Sequence, residues 1–147
     1  EWTTLFFFIG LFITVQAVVK VGIIEAVAEA ALRLTGGSLP LTSMLLLWLS
    51  AFASGIVDNI PYTATMIPVV ENLGMSMPIM PLWWSLALGA CLGGNITLVG
   101  AAANVVVANL AEKSGHPISF RKFLGYGLAT TLMSLVLATG YVWLRYL

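Results

Sequence analysis

Thirty consecutive residues, Pro81 to Leu110, carry no charged side chain. Yet the middle of that run, Gly93-Gly94-Asn95-Ile96-Thr97-Leu98-Val99-Gly100-Ala101-Ala102-Ala103-Asn104, holds three glycines, two asparagines and a threonine. A helix crossing a bilayer in one piece has no use for so many breakers and amides at mid-depth. Irregular backbone in hydrocarbon is tolerated only where it is buried in protein or lines an aqueous cavity. The stretch therefore reads as the unwound part of a broken transmembrane helix spanning 81–111, and as half of a substrate or ion site.

Composition places that helix in a membrane. The chain of 147 residues is 60% hydrophobic and 8% charged, with mean hydropathy +1.01, against roughly 25% charged residues in a soluble domain. The apolar runs are long and lack strand alternation, which makes the expected fold an all-α integral membrane protein. Net charge is zero and no basic run exists, which leaves nucleic acid without a binding surface. The lone Cys91 excludes a disulfide framework and reads as buried packing. Glu1 reads as an internal start or a trimmed end.

The other segments follow in order. Residues 1–20 form an apolar run with Trp2 at one interface and Lys20 snorkelling at the other, one transmembrane helix. Over 23–35, Glu25, Glu29 and Arg33 recur every four residues opposite Ile23, Ile24, Val27, Ala30, Ala31 and Leu34. That pattern predicts an amphipathic helix lying along the interface and stopped by Gly36-Gly37. Residues 41–71 are too long for one crossing at ~1.5 Å per residue, and too short on the second arm for two. With Asp58-Asn59-Ile60-Pro61 at the centre, they read as a re-entrant helical hairpin turning near mid-membrane. A Met/Pro-rich loop follows, then the broken helix and a polar loop containing His116. The final crossing is 122–147, where Gly125, Gly127 and Gly140 suggest close helix approach.

Two polar interruptions thus lie in apolar segments: the hairpin tip at Asp58 and Asn59, and the unwound stretch at Gly94, Asn95, Thr97, Gly100 and Asn104. Facing each other, they would offer helix N-termini to an anion and carbonyl, amide and hydroxyl oxygens to Na⁺. Asp58 is the one ionisable residue deep in an apolar segment, a position that marks an ion or proton path; its structural alternative is a cap on its own helix. Thr63 and Thr65 flank the tip, where hydroxyls also bond the preceding turn. No nucleophile–base pair, metal-ligand cluster or nucleotide motif points to an enzyme, and no cofactor is expected beyond Na⁺ or H⁺ as coupling ion.

The stretches Ser54-Gly55-Ile56-Val57-Asp58-Asn59-Ile60-Pro61-Tyr62-Thr63-Ala64-Thr65-Met66-Ile67-Pro68 and Gly89 to Val106 resemble the ion transporter superfamily. They look most like its branch of P protein, citrate-transporter-like permeases and arsenite permeases. The resemblance covers nearly the whole chain. It implies two inverted repeats, each with a re-entrant hairpin and a broken helix meeting at the site. It places Asp58, Asn59, Thr63, Asn95, Thr97 and Asn104 at positions that bind the coupling cation, Na⁺ at Asp58, Asn59 and Asn95, and the transported anion. Three departures stand out. Ile96 replaces a usual Gly, and Ala102 replaces a frequent Ser. Asp58-Asn59-Ile60 replaces the Ser-Asn-Thr of the dicarboxylate branch, which favours a titratable, proton- or sodium-linked site.

This chain resembles the C-terminal one of the two repeats: three crossings, one of them broken, with the interfacial helix and the hairpin. In that topology Lys20, Arg33 and Arg145 lie on one side, and Lys113, Arg121 and Lys122 on the other. Orientation follows an excess of Lys and Arg, and here there is none. The expectation is a half-size protomer in the plasma (inner) membrane that dimerises, either as an antiparallel homodimer or with a second half-transporter. It would move a small anion or ion by alternating access coupled to Na⁺ or H⁺. The alternatives are a passive anion channel and a non-transporting fragment or half of a two-part permease.

Overall fold

Seven α-helices and no strand make up the regular structure of residues 2–147, the residues described in a computed structural model of the chain; Glu1 lies outside them. They are α1 (Trp2–Lys20), α2 (Ile23–Thr35), α3 (Leu39–Ile56), α4 (Asn59–Gly74), α5 (Ile79–Gly93), α6 (Ala102–Lys113) and α7 (Phe120–Tyr146). By length and composition α3 and α7 can each cross a bilayer, and α5 is a shorter apolar helix.

The fold is organised by α3 and α5, which run parallel. Leu47 lies level with Gly89, Ala51 with Gly93, and Gly55 with Ile96. Lipid offers no hydrophobic reward for helix association, so packing depends on how closely backbones approach, which favours small residues. This seam meets that condition: Ser43, Ser50, Ala51, Ser54 and Gly55 of α3 and Ser85, Gly89, Ala90 and Gly93 of α5 are all buried. The Ser54 hydroxyl crosses it to donate to the Ala90 carbonyl at 2.7 Å.

Helix α7 runs antiparallel along the other side of α5. Thr131 donates to the Leu92 carbonyl at 3.3 Å, and Trp48 Nε1 reaches Thr139 at 3.1 Å. Leu135, Ala138 and Val142 pack with Leu47 and Ala51. Gly127 touches the carbonyl oxygens of Asn95 and Ile96, whereas Gly125 and Gly140 face open space. Of the three glycines read as close-approach positions, only Gly127 is one, because it alone lies on the stripe facing α5.

Helix α4 folds back from the α3 end. The Tyr62 hydroxyl donates to Ser50 at 3.1 Å, and Met66, Val69 and Leu73 meet Leu45, Leu46 and Thr42 across a small apolar gap closed by α2. The returning arm has 16 residues, longer than hydropathy suggests, because Glu71 and Asn72 extend it with Glu71 exposed at its end. Pro61 sits in the first turn, where its missing N–H costs nothing, rather than at the bend.

Helix α2 starts after Gly22 (φ 78°) and stops at Gly36 (φ 59°), left-handed positions that favour glycine. The Gly37 N–H returns to the Leu32 carbonyl at 2.9 Å, closing the last turn. Glu29 and Arg33 pair at 3.2 Å on the exposed stripe. The buried face is narrower than the apolar pattern suggests: Ile24 and Ala28 are buried, while Ile23, Val27 and Leu34 are exposed. Cys91 is also exposed, not packed, because it points away from the Gly89–Gly93 seam two residues to either side.

Candidate functional site

The bend between α3 and α4 and the non-helical segment between α5 and α6 lie at the same level because their parent helices are parallel and in register. Helix α5 continues through Gly93, and α6 starts at Ala102, so residues 94–101 are the part without regular helix. That is narrower than the polar stretch in the sequence: Gly93 belongs to the α3 seam, and Asn104 is already helical.

Three side chains hold the segment. Thr97 Oγ1 donates to the Gly55 carbonyl at 2.7 Å and accepts the Gly100 N–H at 3.0 Å. Asn104 Nδ2 donates to the carbonyls of Gly94 and Thr97 at 2.9 and 3.0 Å. Ile96, 7% exposed, packs over Gly55, so its side chain acts as a wedge under the hairpin tip. Gly94 and Gly100 leave room for the chain to double back: a β-carbon on Gly100 would fall 2.7 Å from the Gly94 carbonyl oxygen, and one on Gly94 3.5 Å from Asn59 Nδ2.

Asp58 caps α4, its Oδ1 accepting the Ile60 N–H at 3.0 Å, and it is only partly buried. Its other carboxylate oxygen has no hydrogen-bond partner among the described residues. The side chains of Asn59, Thr63 and Asn95 make no hydrogen bond among the described residues, and Asn95 is exposed. Thr65 back-bonds to the Pro61 carbonyl at 2.9 Å. His116 lies exposed in the α6–α7 loop with Nδ1 2.9 Å from the Ser114 carbonyl, far along the chain from the tip.

The structure thus brings Gly94, Thr97, Gly100 and Asn104 into one bonded unit, and Asn59 up against it. Sequence reasoning missed Gly55 and Ser54, whose carbonyls meet Thr97 and Gly100, and Tyr62, which ties the returning arm to Ser50. Their signal was the spacing Ser50-x₃-Ser54 against Gly89-x₃-Gly93, the small-residue pattern of close helix pairs.

The segment's electrostatics come from its backbone. The N–H groups of Thr97, Leu98, Val99, Ala101, Ala102 and Ala103 find no acceptor among the described residues. A run of free donors leading into a helix N-terminus is a region of positive potential suited to anionic oxygen. The Asn59 amide lies against Gly94 of this segment, and Asp58, the residue before it in the chain, carries a carboxylate; such groups suit a cation.

Among the described residues helix α6 packs against no other helix, and none of its residues is buried. Val99, on the segment leading to it, is likewise exposed. In hydrocarbon, free backbone donors require a protein or aqueous cover.

Comparison with known proteins places these features. A family model described as citrate transporter matches residues 1–89, more than half of the chain. An uncharacterized transporter of Mycobacterium tuberculosis is 54% identical over 150 residues, covering 99% of this chain and 35% of that protein. A 46 kDa membrane protein of Mycobacterium leprae is 52% identical over 151 residues, covering 100% and 35%. The P protein of Mus musculus is 44% identical over 151 residues, covering 97% and 18%. The chain spans about a third of the length of its mycobacterial relatives. No solved structure matches it significantly.

Proposed function

This chain belongs to the citrate transporter family, and from that premise we propose that it carries one of two substrate-binding repeats of a secondary active transporter. The observation behind this reading is the level meeting of the α3–α4 tip with residues 94–101. It brings Asn59, the neighbour of Asp58, against Gly94, in a segment where six N–H groups have no acceptor among the described residues. The transported species is a small anion, citrate being the first candidate because the family model carries that name. Its oxygens would accept from the free donors of 97–103. The coupling ion is Na⁺ or H⁺. Asp58 binds or exchanges it, and Asn59 and Asn95 supply further hard oxygens to a sodium shell.

The geometry supports a re-entrant reading of α3 and α4. The tip lies level with Gly127 of α7, roughly 10 Å from that helix's first residue and roughly 28 Å from its last at ~1.5 Å per residue. A tip that stops short of the full span is what a re-entrant hairpin requires, and alternating access is the transport mode proposed for it.

The free donors and the uncovered α6 need a second wall. A second repeat of the same kind supplies it, either from another copy inserted antiparallel or from another part of a longer permease. The even split of Lys and Arg between the two faces favours the first, and the one-third coverage of the mycobacterial relatives favours the second.

The test is uptake of citrate into proteoliposomes under imposed Na⁺ or pH gradients, with Asp58→Asn measured in parallel. The expected result is accumulation above the bath concentration, abolished by Asp58→Asn. Uptake that only equilibrates would make the protein a channel. Uptake driven equally well by the variant would remove Asp58 from the coupling.

A further inference from the structure

Running along α7 away from its contact with the unwound segment, α5 and α7 form a groove that the transport reading does not use. Leu88 and Leu92 of α5 line one side; Ser134, Leu137, Ala138 and Tyr141 of α7 line the other, around a volume of about 290 Å³. Its floor is apolar. Leu132, Met133 and Val136 continue the apolar surface along α7, with Met133 and Val136 largely exposed.

The groove ends in a built aromatic cluster. The Trp84 ring stacks on Tyr146 at 5.8 Å between centroids and meets Tyr141 edge-on at 6.5 Å, and Tyr141 and Tyr146 meet edge-on at 6.0 Å. Arg145 lies over the Tyr146 ring, its guanidinium carbon 5.5 Å from the centroid. No carboxylate among the described residues pairs with Arg145; the one ion pair there is Glu29–Arg33, on α2.

Three requirements of a phospholipid meet here. The apolar strip from Met133 to Arg145 is about 18 Å long at ~1.5 Å per residue, close to one leaflet's share of a ~30 Å hydrocarbon core. Trp and Tyr rings mark the interfacial level at its end. An unpaired guanidinium, whose fork matches phosphate geometry, stands at headgroup height. By contrast, Arg121 and Lys122 at the other end of α7 are exposed with no apolar slot leading to them.

We propose that the α5–α7 groove is a binding site for one anionic phospholipid, its acyl chain lying between Leu88, Leu92 and Ala138 and its phosphate held by Arg145 beside the Trp84–Tyr141–Tyr146 cluster. The bound lipid lines the junction between the seam helix α5 and α7. The proposal rests only on the chain lying in a bilayer, so it stands or falls apart from the transport reading.

The experiment uses the full chain reconstituted in vesicles of phosphatidylcholine and phosphatidylglycerol, extracted in mild detergent, with the retained lipids counted by native mass spectrometry. Wild type is expected to retain phosphatidylglycerol enriched about five-fold over its share of the vesicle, the scale set by one unpaired basic group at a headgroup layer. Arg145→Gln is expected to keep a lipid but lose the enrichment. Ser134→Phe, filling the groove, is expected to lose both lipids. Retention by wild type in bulk proportion overturns the proposal, as does enrichment unchanged in Arg145→Gln. Arg145 lies exposed in the last turn of α7, so that variant folds even where Ser134→Phe does not, and its helicity by circular dichroism verifies this.

Discussion

Gly93 of α5 rests directly on the backbone of Ala51 in α3: a β-carbon built on Gly93 would fall 2.6 Å from the Ala51 carbonyl carbon. Together with Gly89 on Leu47 and Gly55 on Ile96, this contact holds the register that levels the hairpin tip with residues 94–101. Gly93→Ala should therefore cost ~1–3 kcal/mol or more, the range of overpacking in a fixed core. Gly125→Ala and Gly140→Ala, with no neighbour within 4 Å, should be neutral or gain up to ~1 kcal/mol of helix propensity. Thermal unfolding in detergent compares the three; equal melting temperatures would contradict the seam.

Ser43 and Ser85 fall at corresponding places on the same seam, and both hydroxyls are buried without a hydrogen-bond partner. An unpaired buried hydroxyl costs ~1–3 kcal/mol. Ser43→Ala and Ser85→Ala should leave stability unchanged or raise it. Ser54→Ala, which removes the bond to Ala90, should lower it by about 1 kcal/mol. The same melting assay ranks them, and a large loss from Ser43→Ala would mean that its hydroxyl has a partner.

Asn104 and Thr97 hold the unwound segment by different bonds and should fail differently. Asn104→Ala frees the carbonyls of Gly94 and Thr97 and should speed amide exchange at the bonded N–H groups of Gly94, Asn95, Ile96 and Gly100 while sparing the α3–α5 seam. Thr97→Val removes the bond to Gly55 and should loosen the tip as well, whereas Thr97→Ser should behave as wild type. Hydrogen–deuterium exchange resolved to these peptides reads the pattern.

Asp58 combines a cap and a charge, and substitutions separate them. Asn caps helices about as well as Asp, so Asp58→Asn should preserve stability and lose ion-coupled transport. Asp58→Ala should lose both, with a stability cost of ~1 kcal/mol. Paired melting and flux measurements distinguish the roles; full gradient-driven flux in Asp58→Asn would leave Asp58 only its cap.

The amino-acid order determined by itself that this chain is helical and built for a membrane, because 60% hydrophobic and 8% charged residues leave no soluble alternative. Chain-local chemistry also marked the places where helix gives way. Glycines and amides lower helix stability wherever they stand, and Gly36 or the Asp58 cap needs no distant partner to act. Tertiary structure alone decided what those breaks face. Thr97 bonding Gly55, Gly127 and not Gly125 or Gly140 touching the Asn95 and Ile96 carbonyls, and Cys91 turned outward all follow from the parallel register of α3 on α5. That register is a property of two interlocking surfaces. Hydropathy, read one helix at a time, has no term for it, because in lipid every face of such a helix is about equally apolar and only shape selects the partner.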